Sequence, residues 1–465
     1  MERKNAWEKY TGENQKQVMD FAEGYKKFIS LCKTERECVD EFERMAKEDG
    51  FVDINTIIKE GRTLKAGDRV YANNMGKTFA TFVIGEEDIE MGMNIVGAHL
   101  DSPRIDLKQN PMYQDTDFVL LDTHYYGGVK KYQWVTIPLA LHGVIVKKDG
   151  TVVKVNVGEN ENDPIFMITD LLVHLSADQM AKNAAKVIEG ESLDLLIGCI
   201  PGPEKDADDK DIKERVKANI LTMLEKEYGI EEEDFLSADI EIVPAGAARD
   251  LGFDRGMIAG YGHDDRVCAY PSYKAMLEVG TPKRTCCCLL VDKEEIGSVG
   301  ATGMDSKFFE NMVAEVMNAT GKYSELLLRR ALANSFMLSS DVSAGFDPLF
   351  PSVMEKKNSA FLGRGLCINK YTGSRGKGGS NDANAEYMAK VRKIFDDADV
   401  YFQTAELGKV DQGGGGTIAY ILARYGMNVI DSGVAVLSMH APWETISKVD
   451  LYEALRGYVA FLKNA

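Results

Sequence analysis

The sequence predicts an α/β fold: a mostly parallel sheet with flanking helices, interrupted by an inserted β-rich domain. Three observations lead to it. Beyond about residue 245, short apolar runs alternate with helical stretches, the rhythm of strand–helix–strand units. Cys286–Val291 and Asn428–Met439 are apolar almost throughout, as strands buried on both faces are. Between about 108 and 245 the rhythm gives way to short β-type runs and turn signals. The predicted division is an α/β domain made of 1–107 and 246–465, with 108–245 as the insert.

In chain order, residues 5–49 read as two amphipathic helices. Thr34 and Glu37 have the spacing of a capping box and Gly50 stands as a stop. Arg69–Ala72, Thr78–Ile84 and Asn94–Leu100 read as strands. Val144–Val146 and Val152–Val155 flank Lys147-Lys148-Asp149-Gly150 as a hairpin. The charged tract Glu204–Glu214 reads as a solvated loop or helix face. Further on, Thr285–Val291 and Leu338–Val342 read as strands, Ser306–Thr320 and Ala383–Ala398 as helices. Gly413–Gly416 lacks the Lys-Ser/Thr ending of a phosphate loop, and reads as a tight turn before a helix at Ile418–Tyr425.

Composition narrows the function. The 465 residues carry 55 Lys and Arg against 73 Asp and Glu, a net charge of −18. That balance argues against nucleic acid and against an anionic membrane surface. With 45% hydrophobic residues a sizeable core is available. Eight cysteines without a CxxC pair read as buried thiols in a reducing compartment. The start Met1-Glu2-Arg3-Lys4-Asn5 offers no signal-peptide core, and no apolar run reaches a bilayer's span. The expected location is the cytoplasm. Six histidines, His99, His124, His142, His174, His263 and His440, bound any imidazole chemistry.

Five segments bring acids or histidines to the ends of apolar runs. In Gly97–Arg104, His99 and Asp101 share a strand face, a ligand pair or a structural hydrogen bond. In Gly262–Arg266, Asp264 and Asp265 precede a helix, and Asp265 reads as its N-cap. Asp292, Glu294 and Glu295 follow the run that ends at Val291. There, loop acids and a ligand–base pair are both open. Asp341 closes Leu338–Val342, and His440 closes the run from Asn428. Taken together, two imidazoles and three carboxylates make a mixed N/O set suited to zinc or manganese, and one bridging carboxylate gives a two-metal arrangement. His124 and His142 lack carboxylate neighbours in sequence, and His263 reads as packing or as support for Asp264.

The spelling and order of these motifs resemble the M18 family of metallo-aminopeptidases, the aspartyl aminopeptidase family, in its bacterial aminopeptidase 1 branch. The stretches are GAHLDSPR (97–104), Thr123–Val129, LVHL (172–175), HDDR (263–266), DKEEIGS (292–298), SSDVSAGFDP (339–348) and LSMHAPWE (437–444). The resemblance implies a zinc-exopeptidase-like fold and an inserted dimerisation or lid domain. It also implies two divalent ions, zinc first, with manganese or cobalt as alternatives. It makes His99, Asp264, Glu295, Asp341 and His440 metal ligands, with Asp264 bridging. Glu294 is then the general base acting with a metal-bound hydroxide, and Asp101 the acid behind His99. His174 is carried to the site from a neighbouring subunit for oxyanion stabilisation, with metal contact open.

The implied reaction removes the N-terminal residue of peptide substrates, and the implied state is a homo-oligomer, up to a dodecamer built from dimers. A deacylase or amidohydrolase on the same scaffold, and a non-catalytic assembly protein, are the alternatives. Three places depart from the family pattern: Val129–Pro138, with Lys130, Lys131 and Trp134; Phe346 and Asp347 in place of histidines; and the Gly373–Gly379 loop, with Arg375 and Lys377. They point to a neutral or broad preference rather than an acidic one.

Overall fold

The computed structural model describes residues 4–373 and 376–465, so Met1–Arg3, Ser374 and Arg375 lie outside the described residues. The chain forms two units. The first comprises Met1–Ser102, Ala248–Met439 and Glu444–Ala465; the second comprises Pro103–Ala247 and His440–Trp443.

The first unit is built on nine strands: β1 (Val52–Asp53), β2 (Arg69–Asn74), β3 (Thr78–Val83), β4 (Asn94–His99), β5 (Cys286–Val291), β6 (Phe336–Ser339), β7 (Leu366–Asn369), β8 (Phe402–Thr404) and β9 (Asn428–Gly433). Their order is β1-β2-β3-β5-β4-β6-β9-β7-β8. The sheet is mixed. Its centre, β5-β4-β6-β9, is parallel, whereas β3 joins β5 and β7 joins β9 in antiparallel fashion.

Side-chain alternation covers both faces. Cys286, Cys288 and Leu290 face one apolar core with Val96 and Ala98, while Cys287, Leu289 and Val291 face the other with Ile95. On the first face lie the helices Glu13–Leu31, Glu35–Glu48, His263–Glu278, Ala385–Asp397 and Lys448–Asn464. On the second lie Ile54–Glu60, Phe308–Ala319, Glu325–Ala333 and Ala419–Ala423. The Thr34–Glu37 capping box forms, with Thr34 Oγ1 accepting the Glu37 N–H at 3.1 Å, a cap worth about 1 kcal/mol. Helix Ile54–Glu60 was not signalled by periodicity; Asp53 caps it through the Asn55 N–H.

Two strands differ from expectation. The Leu338–Val342 strand lies two residues earlier and ends at Ser339, which leaves Asp341 outside the ladder. The apolar run from Asn428 is not one strand: β9 stops at Gly433 and Ala435–Val436 pairs separately with Ser343–Ala344. At Gly433 a Cβ would stand 2.0 Å from the Asp341 carbonyl oxygen, so this crossing of backbones requires glycine. His440 therefore follows a turn, with φ 65°, rather than a strand. A three-stranded sheet of Arg249–Leu251, Met257–Gly260 and Glu444–Ser447 sets Glu444 opposite Gly260, just before His263.

The second unit holds a six-stranded sheet that includes Arg104–Asp115, Phe118–Tyr126 and the hairpin Leu139–Val146 with Val152–Val157. Glu204–Glu214 is largely exposed and leads into the helix Arg215–Tyr228.

Candidate metal centre

Parallel pairing decides where the chemistry collects. Val291 of β5 is in register with His99, and Ser339 of β6 with Gly97. The segments leaving β4, β5 and β6 therefore emerge at one edge, the carboxyl end of the strands, where open α/β sheets place their sites.

His99 is the hub and is fully buried. Its Nδ1 lies 3.0 Å from the Asp101 carbonyl oxygen and 3.4 Å from the Asp101 carboxylate. Nδ1–H donated there leaves Nε2 as the presenting nitrogen. Nε2 is 3.1 Å from Asp264 Oδ1 and 4.0 Å from both Glu294 Oε2 and Asp341 Oδ1. Asp101 also accepts the backbone N–H groups of Glu294 and Glu295, one on each carboxylate oxygen at 3.1 Å. It thus fixes both the imidazole and the turn that carries two further acids. Lys293, inside that turn, has φ 69°, a strained conformation of the kind that collects at functional sites.

Asp264 is held from both sides. Its N–H donates to Glu444 Oε2 at 3.0 Å, and its carbonyl accepts Ser102 Oγ at 2.8 Å. The peptide linking it to Asp265 is cis. Asp265, which the sequence offers as the N-cap, does not cap the helix; its Oδ2 accepts the His99 N–H at 3.3 Å. The reason is that the turn before Arg266 is non-helical and points the carboxylate at β4. Arg266, also buried, donates to the carbonyls of Leu100 at 3.0 Å and Lys33 at 2.9 Å.

Burial pulls the His99 imidazole down, but its bonds to Asp101 and Asp264 and the Glu294 charge outweigh that and raise its pKa well above the usual range. Burial also raises Asp265 and Asp341, and for Asp341 the Glu294 charge adds to it. Acids crowded in this way repel unless a cation joins them. The donor set fits one. His99, Asp265 and Asp341 present ligand atoms within 4.8 Å of one another, and so do His99, Glu294 and Glu295. The Asp265 Oδ1 is buried without a hydrogen-bond partner. One nitrogen with several carboxylate oxygens is the chemistry of zinc or manganese.

The remaining histidines divide. In the second unit, His440 Nδ1 lies 3.1 Å from the Gly128 carbonyl, a partner that sets its tautomer as Asp101 sets that of His99. His174 is exposed on Val173–Leu175, whose apolar neighbours Leu172, Val173 and Leu175 are exposed as well. His142 does have a carboxylate partner, Glu159 Oε1 at 3.0 Å, which comes from 17 residues away. His124 is exposed against the Tyr125 carbonyl. His263 is bound at Nδ1 to the Tyr25 hydroxyl at 2.8 Å. The turn of the Asp265 carboxylate toward β4 and Glu444 as an anchor were missed in the sequence. The Asp264-Asp265 doublet was the only signal for the first.

The family profile described as Aminopeptidase I zinc metalloprotease (M18) matches residues 28–462. The chain belongs to the M18 family. It is a zinc metallo-aminopeptidase, a hydrolase. A probable M18 family aminopeptidase 1 from Clostridium acetobutylicum is 62% identical over 463 residues, covering 100% of this chain and 98% of the relative. The crystal structure of the M18 aminopeptidase from Thermotoga maritima is 42% identical, covers 100% of both chains and superposes with a TM-score of 0.94. More distant in sequence is the S. cerevisiae mApe1 dodecamer, 21% identical over 96% of each chain, which shares the M18 fold at a TM-score of 0.77.

Proposed function

We propose that this M18 aminopeptidase removes the N-terminal residue of peptides at a binuclear centre. His99, Asp264, Glu295, Asp341 and His440 would hold the ions, with Asp264 as the carboxylate common to both. The observation that carries the reading is the surroundings of His99 Nε2, with three carboxylates within 4.0 Å and Nδ1 tied to Asp101. The same Nδ1-to-carbonyl arrangement at His440 supports its place in the set.

When bound, two divalent ions, zinc first and manganese or cobalt as alternatives, supply an acidified water as nucleophile and polarise the substrate carbonyl. Glu294 would be the general base, holding at its carboxylate the proton of the attacking water and passing it to the leaving amine. Its side chain is 16% exposed, open enough to reach substrate. Asp101 holds the Glu294 backbone and the His99 ring, so base and ligand keep one geometry. The site's acids receive the substrate's free α-ammonium group and confine cleavage to the N-terminus. His174 serves the oxyanion from a neighbouring subunit, which its exposed position on the second unit supports. That unit acts as a dimerisation or lid domain in a homo-oligomer, and the mApe1 dodecamer suggests the size of the assembly. Phe346 and Asp347, in place of histidines, favour neutral or broad residue preference. Eight free cysteines support a cytoplasmic, reducing setting.

The test combines metal analysis with turnover of an aminoacyl-anilide panel. The expected stoichiometry is two ions per chain in both the parent and Glu294→Gln, with turnover lost only in the variant. Undiminished turnover in Glu294→Gln, or a single ion at saturation, overturns the reading.

A further inference from the structure

A second charged feature of the first unit lies in a cleft of about 810 Å³. It is lined from three places: the loop 355–364, the helix Ala385–Asp397, and β8, the last strand of the large sheet. Four cations border it, Lys356, Lys357, Arg364 and Arg392. None of the four forms an ion pair among the described residues, in a chain with 73 acids to 55 bases. The contrast is sharp at the neighbouring position, where Lys393 pairs with Asp397 one turn on.

Glu355 is the single acid of the lining, and it is turned onto its own loop. Its carboxylate accepts the Lys357 N–H at 3.1 Å and Asn358 Nδ2 at 2.5 Å. The cleft is also braced. Gln403 of β8 is bound at both ends to Phe361, with Oε1 accepting the Phe361 N–H at 2.9 Å and Nε2 donating to its carbonyl at 2.8 Å. The Arg364 guanidinium stacks over the Phe361 ring at 4.3 Å. A loop carrying three of the four cations is therefore anchored to the sheet.

We propose that this cleft binds a small organic polyphosphate. A volume of 810 Å³ is roughly 9 Å across, about one Debye length at physiological salt, so the four charges act on a ligand together. A single phosphate carries at most about two negative charges and leaves the four cations unbalanced; a chain of two or three balances them. Arginine offers the fork geometry that phosphate oxygens accept in pairs, and lysine adds point charge. Phe361 already carries Arg364 over its ring and Phe346 stacked at 5.2 Å, so Met388 supplies the apolar surface against which an organic ring can lie.

The experiment is calorimetric titration of the zinc-loaded enzyme at 0.15 M salt with ATP, inorganic tripolyphosphate and a poly-glutamate peptide. The expected result is saturable ATP binding, weaker binding of tripolyphosphate, and at least tenfold loss of both in Lys356→Glu/Arg364→Glu. Chelation of the active-site metal would persist in that variant, so the loss reports the cleft. Retained aminoacyl-anilide turnover by the variant shows an intact fold. No saturable phosphate binding, binding undiminished in the variant, or binding of the peptide alone overturns the proposal.

Discussion

Replacing Asp101 by asparagine tests the centre without touching a proposed ligand. The side chain is fully buried, and its two oxygens each take a backbone N–H, from Glu294 and from Glu295, at 3.1 Å. Hydrogen bonds to a charged acceptor contribute about 1.5–3 kcal/mol each. Asparagine keeps the shape and one acceptor, but its NH₂ group must face one of the two N–H donors. One bond is lost, a buried donor is orphaned, and the other bond weakens as the charge goes. The expected cost is about 2–4 kcal/mol of stability. The carboxylate 3.4 Å from His99 Nδ1 also disappears, and loss of such support weakens metal affinity about 10–100-fold. Urea unfolding of the zinc-loaded protein measures the first quantity, and competition with a chromophoric chelator the second. Zinc affinity within twofold of the parent, with turnover retained, would refute the reasoning, because Asp101 would then position neither the imidazole nor the turn.

Four further outcomes are expected. Gly433→Ala drives a methyl group to 2.0 Å from the Asp341 carbonyl; it should cost about 3 kcal/mol and lower metal stoichiometry, read by thermal melting and metal analysis. A thiol reagent should find one fast cysteine, Cys199, in the native enzyme and eight after denaturation, since the other seven are buried and burial pushes Cys286 and Cys367 up to about 12. Asp450 is pushed up to about 8 by burial, against the pull of the Gly363 and Gly365 N–H donors. The folded protein thus holds a proton that the unfolded chain has released above about pH 4, so stability from this group falls as pH rises from about 4 to 8, by at most about 1.4 kcal/mol per pH unit. Asp450→Asn should flatten that slope in urea titrations at successive pH values. Chelator treatment should abolish aminopeptidase turnover and lower the melting temperature, and zinc should restore both.

Much of the centre was legible because its residues sit where strands end. His99 and Asp101 could be paired from strand geometry, and the run Cys286–Val291 pointed straight at Glu294 and Glu295. The helices around Thr34 and Ala385 announced themselves through caps and periodicity. What stayed hidden depends on distant partners. Nothing near Asp265 in sequence shows that its carboxylate turns to β4, or that Glu444 anchors Asp264, because both contacts come from residues more than 160 positions away. The break in Asn428–Met439 was masked by composition: apolar residues continue past Gly433, while the turn is dictated by the backbone of Asp341. The antiparallel joins of β3 and β7 leave no local mark, since strands covered on both faces look alike in either direction.

The central strand order has a consequence for when the enzyme can be loaded. β4 carries His99, and both of its neighbours, β5 and β6, are made much later, at residues 286–291 and 336–339. All of residues 103–247 leave the ribosome in between. At roughly 5–20 residues per second, His99 waits on the order of ten seconds or more for Asp264, Glu294 and Asp341. With the ligand set proposed above, the site is incomplete until His440 has been made, so zinc acquisition is expected late, after β4, β5 and β6 have been synthesised. An enzyme starved of metal should accumulate as a folded, loadable apoprotein, not as a nascent fragment.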